Sequence, residues 1–176
     1  MERIITHLYL SPCGELLLGS YGGRLCLCDW HTAPHRHRVA ARLRRLLCAE
    51  FEEGHSTIIE ITAAQLDEYF AMKRRDFDIP LLTAGTAFQK TVWNRLAGIA
   101  YGSTVSYGDF AADIGFPKAT RAIANACGAN AISIILPCHR VTGRNGSLTG
   151  YAGGYDAKSY LLELEKAFSQ GVTDRP

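Results

Sequence analysis

No apolar run in these 176 residues approaches the roughly 18 needed to cross a bilayer, so a membrane-spanning chain is not expected. The opening segment Met1–His7 lacks the charged-then-apolar layout of a secretory signal. Internal repeats and low-complexity tracts are also missing. These absences leave a cytoplasmic globular protein as the expectation. Hydrophobic residues make up 47% and charged residues 20%, the ordinary balance of a packed domain. The length allows one or two small domains with a real core. Six cysteines are present (Cys13, Cys26, Cys28, Cys48, Cys127 and Cys138), and a cytosolic compartment keeps them reduced rather than paired.

Acidic residues are scarce in one region. Residues 84–155 hold 6 basic and 2 acidic side chains, whereas residues 1–83 hold 10 and 11. A modest positive field on the second half suits a polyanion partner, although chance in a small domain explains the charge count equally well.

The residue pattern predicts an α+β protein: an N-terminal small antiparallel sheet with helices, then a C-terminal mostly helical domain with a helix-turn-helix. Ile4–Leu10, Glu15–Ser20 and Arg24–Trp30 read as strands separated by Ser11-Pro12-Cys13-Gly14 and Tyr21-Gly22-Gly23. Val39, Leu43, Leu46 and Leu47 recur at helical spacing among arginines. The β-branched run Thr57–Ile61 is expected to return to the sheet. Thr62-Ala63-Ala64-Gln65 is expected to open a helix that runs to about Lys73. Residues 76–86 read as a connector, which sets domains at 1–80 and 86–170. Thr86-Ala87-Phe88-Gln89 is a second capping-box pattern. Ser106 caps a helix from Tyr107 to Ile114, and Pro117 sits where a first helical turn favours proline, starting a helix over Lys118–Cys127. Asp156 is expected to cap a last helix to about Phe168.

Chemistry concentrates in Pro137-Cys138-His139-Arg140, which follows the apolar run Ile132-Ser133-Ile134-Ile135-Leu136. A thiolate is the nucleophilic form of cysteine, and a neighbouring base or cation raises its population. The same spacing also fits a core cysteine followed by a solvent-facing His-Arg pair. The helix over Lys118–Cys127 is slim, with Ala119, Ala122, Ala124 and Ala126. A major-groove reader needs several long polar side chains, which this helix lacks. It suits close backbone approach to a minor groove with little sequence preference, or tight packing on a neighbouring helix.

With Phe88-Gln89-Lys90-Thr91-Val92-Trp93, Gly102–Tyr107, Arg121-Ala122-Ile123, Ile134–Val141, Gly150–Gly154 and Leu161–Glu165 in this order, the second half of the chain resembles the O6-alkylguanine-DNA alkyltransferases (methylated-DNA–protein-cysteine methyltransferases). The first half is similar only loosely, through Ser11-Pro12-Cys13-Gly14 and the strands around it. The resemblance implies a ribonuclease-H-like first domain and direct-reversal DNA repair. An O6-alkylguanine, or an O4-alkylthymine, is flipped from duplex DNA, and its alkyl group passes irreversibly to the protein, one turnover per molecule. By the same resemblance Cys138 is the acceptor, and His139 takes its proton through a water. Glu165 orients His139 (Glu163 being its sequence rival), Tyr107 donates to the purine edge, and Asn130 holds the turn. Val141, Tyr151, Ala152, Gly153 and Cys127 line the base pocket. Arg121 fills the vacated stack, and Gln89, Gly108, Lys118, Ala119 and Arg144 contact the DNA backbone. Ala131 stands where relatives often carry proline, which affects turn stiffness rather than chemistry.

No cofactor and no obligate protein partner is implied; the partner is lesion-bearing double-stranded DNA. Some relatives carry a zinc ion in the first domain. Here Cys26 and Cys28 share a strand face with His31, His35 and His37 nearby, but no recognised zinc spacing is present and no metal is expected. The alternative function is a non-catalytic alkyl-lesion sensor, whose members replace the cysteine. A thiol hydrolase and a helix-turn-helix regulator fit less well.

Overall fold

The computed structural model describes residues 2–148 and 150–173. Three strands, β1 (Arg3–Ser11), β2 (Gly14–Tyr21) and β3 (Arg24–Trp30), form an antiparallel meander through the two expected turns. Helix α1 (Arg36–Leu47) then carries the chain back to β4 (Glu50–Glu53), which pairs with β1 in parallel register from Arg3↔Glu50 to Thr6↔Glu53. The sheet order is β3-β2-β1-β4. The sheet is therefore mixed, not wholly antiparallel, because the fourth strand arrives by a helical crossover rather than a hairpin.

That fourth strand is not the β-branched run. Thr57–Ile61 lies inside α2 (Thr57–Phe70), whose true cap is Ser56, its hydroxyl accepting from the Ile59 amide. Burial of Ile59, Thr62, Leu66 and Tyr69 at helical spacing outweighs β-propensity. Thr62 is fully buried mid-helix, its hydroxyl donating to the Ile58 carbonyl, so it caps nothing. The strand is built instead from the charged segment Glu50–Glu53, which carries no apolar alternation to announce it.

The second half has α3 (Ala87–Leu96), β5 (Val105–Ser106), α4 (Tyr107–Asp113), α5 (Thr120–Gly128), β6 (Val141–Thr142) and α6 (Gly154–Thr173). Thr86 and Gln89 form a reciprocal capping box on α3, and Ser106 caps α4. Residues 114–119 turn the chain between α4 and α5, with Gly115 at φ +87°. Pro117 lies in this turn, not in the first turn of α5, which begins two residues later than the sequence pattern predicts. Asp156 lies within the first turn of α6 rather than at its cap, where it complements the helix dipole.

One apolar cluster joins the two halves: Leu16, Leu18, Trp30, Ile59 and Leu66 share it with Val92, Trp93, Phe110, Ile123, Ile132 and Leu161. A second, smaller cluster sits on the other side of the sheet under Val39 and Leu43 of α1. Cys26 belongs to this second cluster and Cys28 to the first. The irregularity opposite Gly19/Ser20 breaks the alternation of β3, so the two cysteines do not share a face as their spacing predicts. Among the described residues no group of three or more His, Cys, Asp or Glu is placed to hold a metal ion, and no helix is long and apolar enough to cross a membrane.

β3 also braces the chemical segment. The Cys28 amide donates to the Ala131 carbonyl at 2.8 Å, and the Ser133 amide donates back to the Cys28 carbonyl at 2.7 Å. Beyond it, Trp30 packs under the 151–154 loop so closely that a Cβ built on Gly153 would stand 2.5 Å from the indole. A rigid ring cannot yield that space. Gly153→Ala is therefore expected to lower stability by about 1–3 kcal/mol in chemical denaturation, the usual cost of overpacking.

Candidate active site

The buried run ends at Leu136, and Cys138–Arg140 forms a single 3₁₀ turn. Cys138 is 6% exposed and His139 is fully buried. The alternative of a solvent-facing His-Arg pair is excluded, because Arg140 is buried too.

Asn130 holds this turn. Its amide nitrogen donates to the Leu136 carbonyl at 2.9 Å and to the Cys138 sulfur at 3.4 Å, while its oxygen accepts from the Ile132 amide at 2.9 Å. The same side chain thus fixes the backbone bend and supplies a donor to the sulfur. Ile134, a β-branched residue at φ +72°, sits inside that bend. Burial pushes the Cys138 thiol up to about 11, against the downward pull of the Asn130 hydrogen bond and the Lys158 charge.

Behind the cysteine lies a buried charge cluster. Glu165 projects from α6, fully buried, and each of its oxygens accepts several hydrogen bonds. Oε1 receives Tyr69 Oη and His139 Nε2 at 2.8 Å and Arg140 Nη2 at 2.9 Å; Oε2 receives Arg140 Nε at 2.9 Å and the Gly102 amide at 3.2 Å. Burial alone would raise this carboxyl; the His139 and Arg140 bonds outweigh it and hold it at about 2. The bond to Glu165 places the imidazole proton on Nε2. Nδ1 is left as an acceptor, buried and without a partner among the described residues. Burial holds His139 below its ordinary range despite the carboxylate, with Arg140 and Lys158 adding to the depression. Glu163, the sequence rival, is exposed and accepts from Ser159.

Tyr107 opens α4, half-buried, its phenol pushed well up by burial and by the neighbouring Cys127 and Cys138 thiols. Val141 is fully buried in β6, paired with Val105, and Cys127 is buried on α5. Tyr151, Ala152 and Gly153 are half-buried in the loop before α6, and the Tyr151 ring meets Trp30 edge-on at 5.9 Å.

Tyr107 and Arg121 line a groove of about 1040 Å³ together with Thr120, Ala124, Asn125 and Gly150. Its opposite wall is α1, through Arg38 and Arg42. Gln89, Gly108, Lys118, Ala119 and Arg144 do not line it. Gln89 spends its side-chain oxygen on the α3 capping box, while Gly108, Lys118 and Arg144 are exposed.

Five side chains at this site escape a reading of the sequence. Arg140 was visible beside His139 but its inward direction was not. Tyr69, Lys158 and the α1 arginines lie far from Cys138 in sequence, and only the fold brings them to it.

The chain matches two family models: residues 87–167 match the "6-O-methylguanine DNA methyltransferase, DNA binding domain" and residues 4–83 its "ribonuclease-like domain". It is 51% identical to the methylated-DNA–protein-cysteine methyltransferase of Methanosarcina barkeri over 156 residues, 89% of this chain and 93% of the relative. The inducible enzyme of Bacillus subtilis is 51% identical over 111 residues, where the alignment spans 63% of this chain and 62% of the relative. A crystal structure of Mycobacterium tuberculosis OGT in complex with DNA superposes with a TM-score of 0.80 at 39% identity, covering 94% of each chain.

Proposed function

The chain belongs to the 6-O-methylguanine DNA methyltransferase family, and from that premise we propose that it repairs O6-alkylguanine, and O4-alkylthymine, in duplex DNA by moving the alkyl group irreversibly onto its own Cys138. The observation that carries this reading is one buried turn in which Asn130 holds the Cys138 sulfur and Glu165 holds the next residue, His139.

In this reading the thiol proton leaves through a water to His139 Nδ1, the free acceptor. The sulfur attacks the alkyl carbon, an S–C bond forms, and the C–O6 bond breaks. The electron pair passes to the guanine, which takes a proton from the Tyr107 phenol; the phenolate regains a proton from solvent as His139 releases the one it took, so no net charge is left on either side chain. The thioether is neutral and permanent, so each molecule reacts once. The slim face of α5 enters the minor groove. Arg121, exposed at the groove, fills the vacated stack, while Gln89, Gly108, Lys118, Ala119 and Arg144 meet the phosphates around it. Val141, Tyr151, Ala152, Gly153 and Cys127 enclose the flipped base. Residues 1–80 and 86–170 act as two structural units, the first bracing the second, and the work is done in the cytoplasm, on the nucleoid if the cell is bacterial. The sensing alternative is disfavoured by the presence of Cys138 itself.

The test is stoichiometric. Mixed with a duplex carrying O6-methylguanine, the protein is expected to gain the mass of one methyl group on the peptide containing Cys138, with repaired product never exceeding protein. Repeated turnover, or tight binding without any adduct, would refute the reading.

A further inference from the structure

We propose that Lys158, not a protonated His139, is the counter-cation that makes the Cys138 thiolate available. The inference deepens the proposed function, since it rests on Cys138 being the acceptor.

Lys158 is fully buried on α6, an unusual place for an ammonium. Its Nζ donates to the Val141 carbonyl at 2.7 Å, and the Val141 amide closes the Cys138 turn by donating to the Cys138 carbonyl. The ammonium stands 5.9 Å from the Tyr107 ring centroid and 5.8 Å from that of Tyr151. Among the described residues it forms no ion pair with a carboxylate. A buried cation held by a carbonyl and two phenol rings lacks a counter-charge. The ionisable groups around it are the thiols of Cys138 and Cys127, the phenols of Tyr107 and Tyr151, and His139.

His139 is poorly placed for that service. Glu165, the only carboxylate it touches among the described residues, is already neutralised by two hydrogen bonds from Arg140. A lasting imidazolium here would add a second positive charge beside Arg140 in a buried site. His139 can pass the proton on, but the charge left on sulfur is balanced by Lys158. Asp29 works weakly against the thiolate from the β3 side. Once sulfur becomes a thioether, Lys158 loses its partner.

The test titrates the free protein without DNA, so it stands whether or not the repair reading does. The Cys138 thiolate is followed by iodoacetamide modification of its peptide across pH. Lys158→Gln keeps a donor for Val141 and removes the charge. It is expected to move the Cys138 titration upward by about one pH unit or more, slowing modification about tenfold at neutral pH with recovery in alkali. Lys158→Arg is expected to restore most of the rate. An unshifted titration, or a deficit equal at every pH, overturns the proposal. A measurement without mutation reads the same coupling in reverse. In wild-type protein with ¹⁵N-labelled lysine, the Lys158 ammonium should titrate at lower pH after Cys138 is capped as a neutral thioether with iodoacetamide; no change on capping overturns the proposal even if the variants fail to fold.

Discussion

A Cys138→Ala protein is expected to bind a duplex carrying O6-methylguanine and leave every lesion in place. Removing one sulfur atom from a side chain in a tight turn opens a small cavity, which costs about 1 kcal/mol, so the fold should survive. Asn130 keeps its bonds to the Leu136 carbonyl and the Ile132 amide, so the turn keeps its shape. Lesion affinity should therefore stay within about threefold of the parent, under 1 kcal/mol. The nearest substitute nucleophile is Cys127, and it should not rescue the reaction. Its thiol is pushed further up by burial than that of Cys138, and among the described residues no side-chain donor to its sulfur matches the Asn130 bond. Intact mass after incubation with the lesion duplex checks both halves of the expectation. A methyl adduct on the variant, at Cys127 or elsewhere, would show that the acceptor has been misassigned.

The sequence displayed the chemistry more clearly than the scaffold. Pro137-Cys138-His139-Arg140 is contiguous, so the thiol and imidazole were legible at once, and the ordered motifs around them pointed to Glu165 and Tyr107. The meander β1–β3 was legible because turn residues punctuate alternating strands. The errors fell where local propensity and tertiary packing disagree. Thr57–Ile61 carries β-branched side chains, but Ile59 and Leu66 had to face the sheet together, and only a helix does that. Glu50–Glu53 is a strand because β1 offers it a parallel edge, a fact outside its own composition. Lys158 resembled any helical lysine. Its burial depends on where β6 lays the Val141 carbonyl, some seventeen residues away in the chain. Long-range partners of this kind leave no mark on spacing.

Glu165→Gln is expected to be among the most destabilising single substitutions available. Every group that reaches the carboxylate is a donor: Tyr69, His139, Arg140 twice, and the Gly102 amide. A glutamine must aim its own NH₂ at one of these positions, setting donor against donor, and it leaves Arg140 a buried cation with no anion. Breaking a buried pair from one side costs about 3–5 kcal/mol. The carboxyl supports a similar size: held at about 2 instead of its ordinary 4.5, it contributes about 3 kcal/mol near neutral pH. A depressed carboxyl of this kind gives stability that is complete above its unfolded value near 4.5 and is lost as pH falls toward 2. The parent should therefore weaken steadily through that acid window, and the variant, already lacking the contribution, should weaken less. Urea denaturation at neutral pH and at pH 3 measures both. Glu163→Gln is the control, since Glu163 is exposed one turn-face away and should change stability by less than about 0.5 kcal/mol. Equal behaviour of the two variants would mean that the Tyr69–Glu165–His139–Arg140 cluster does not hold the two halves of the chain together.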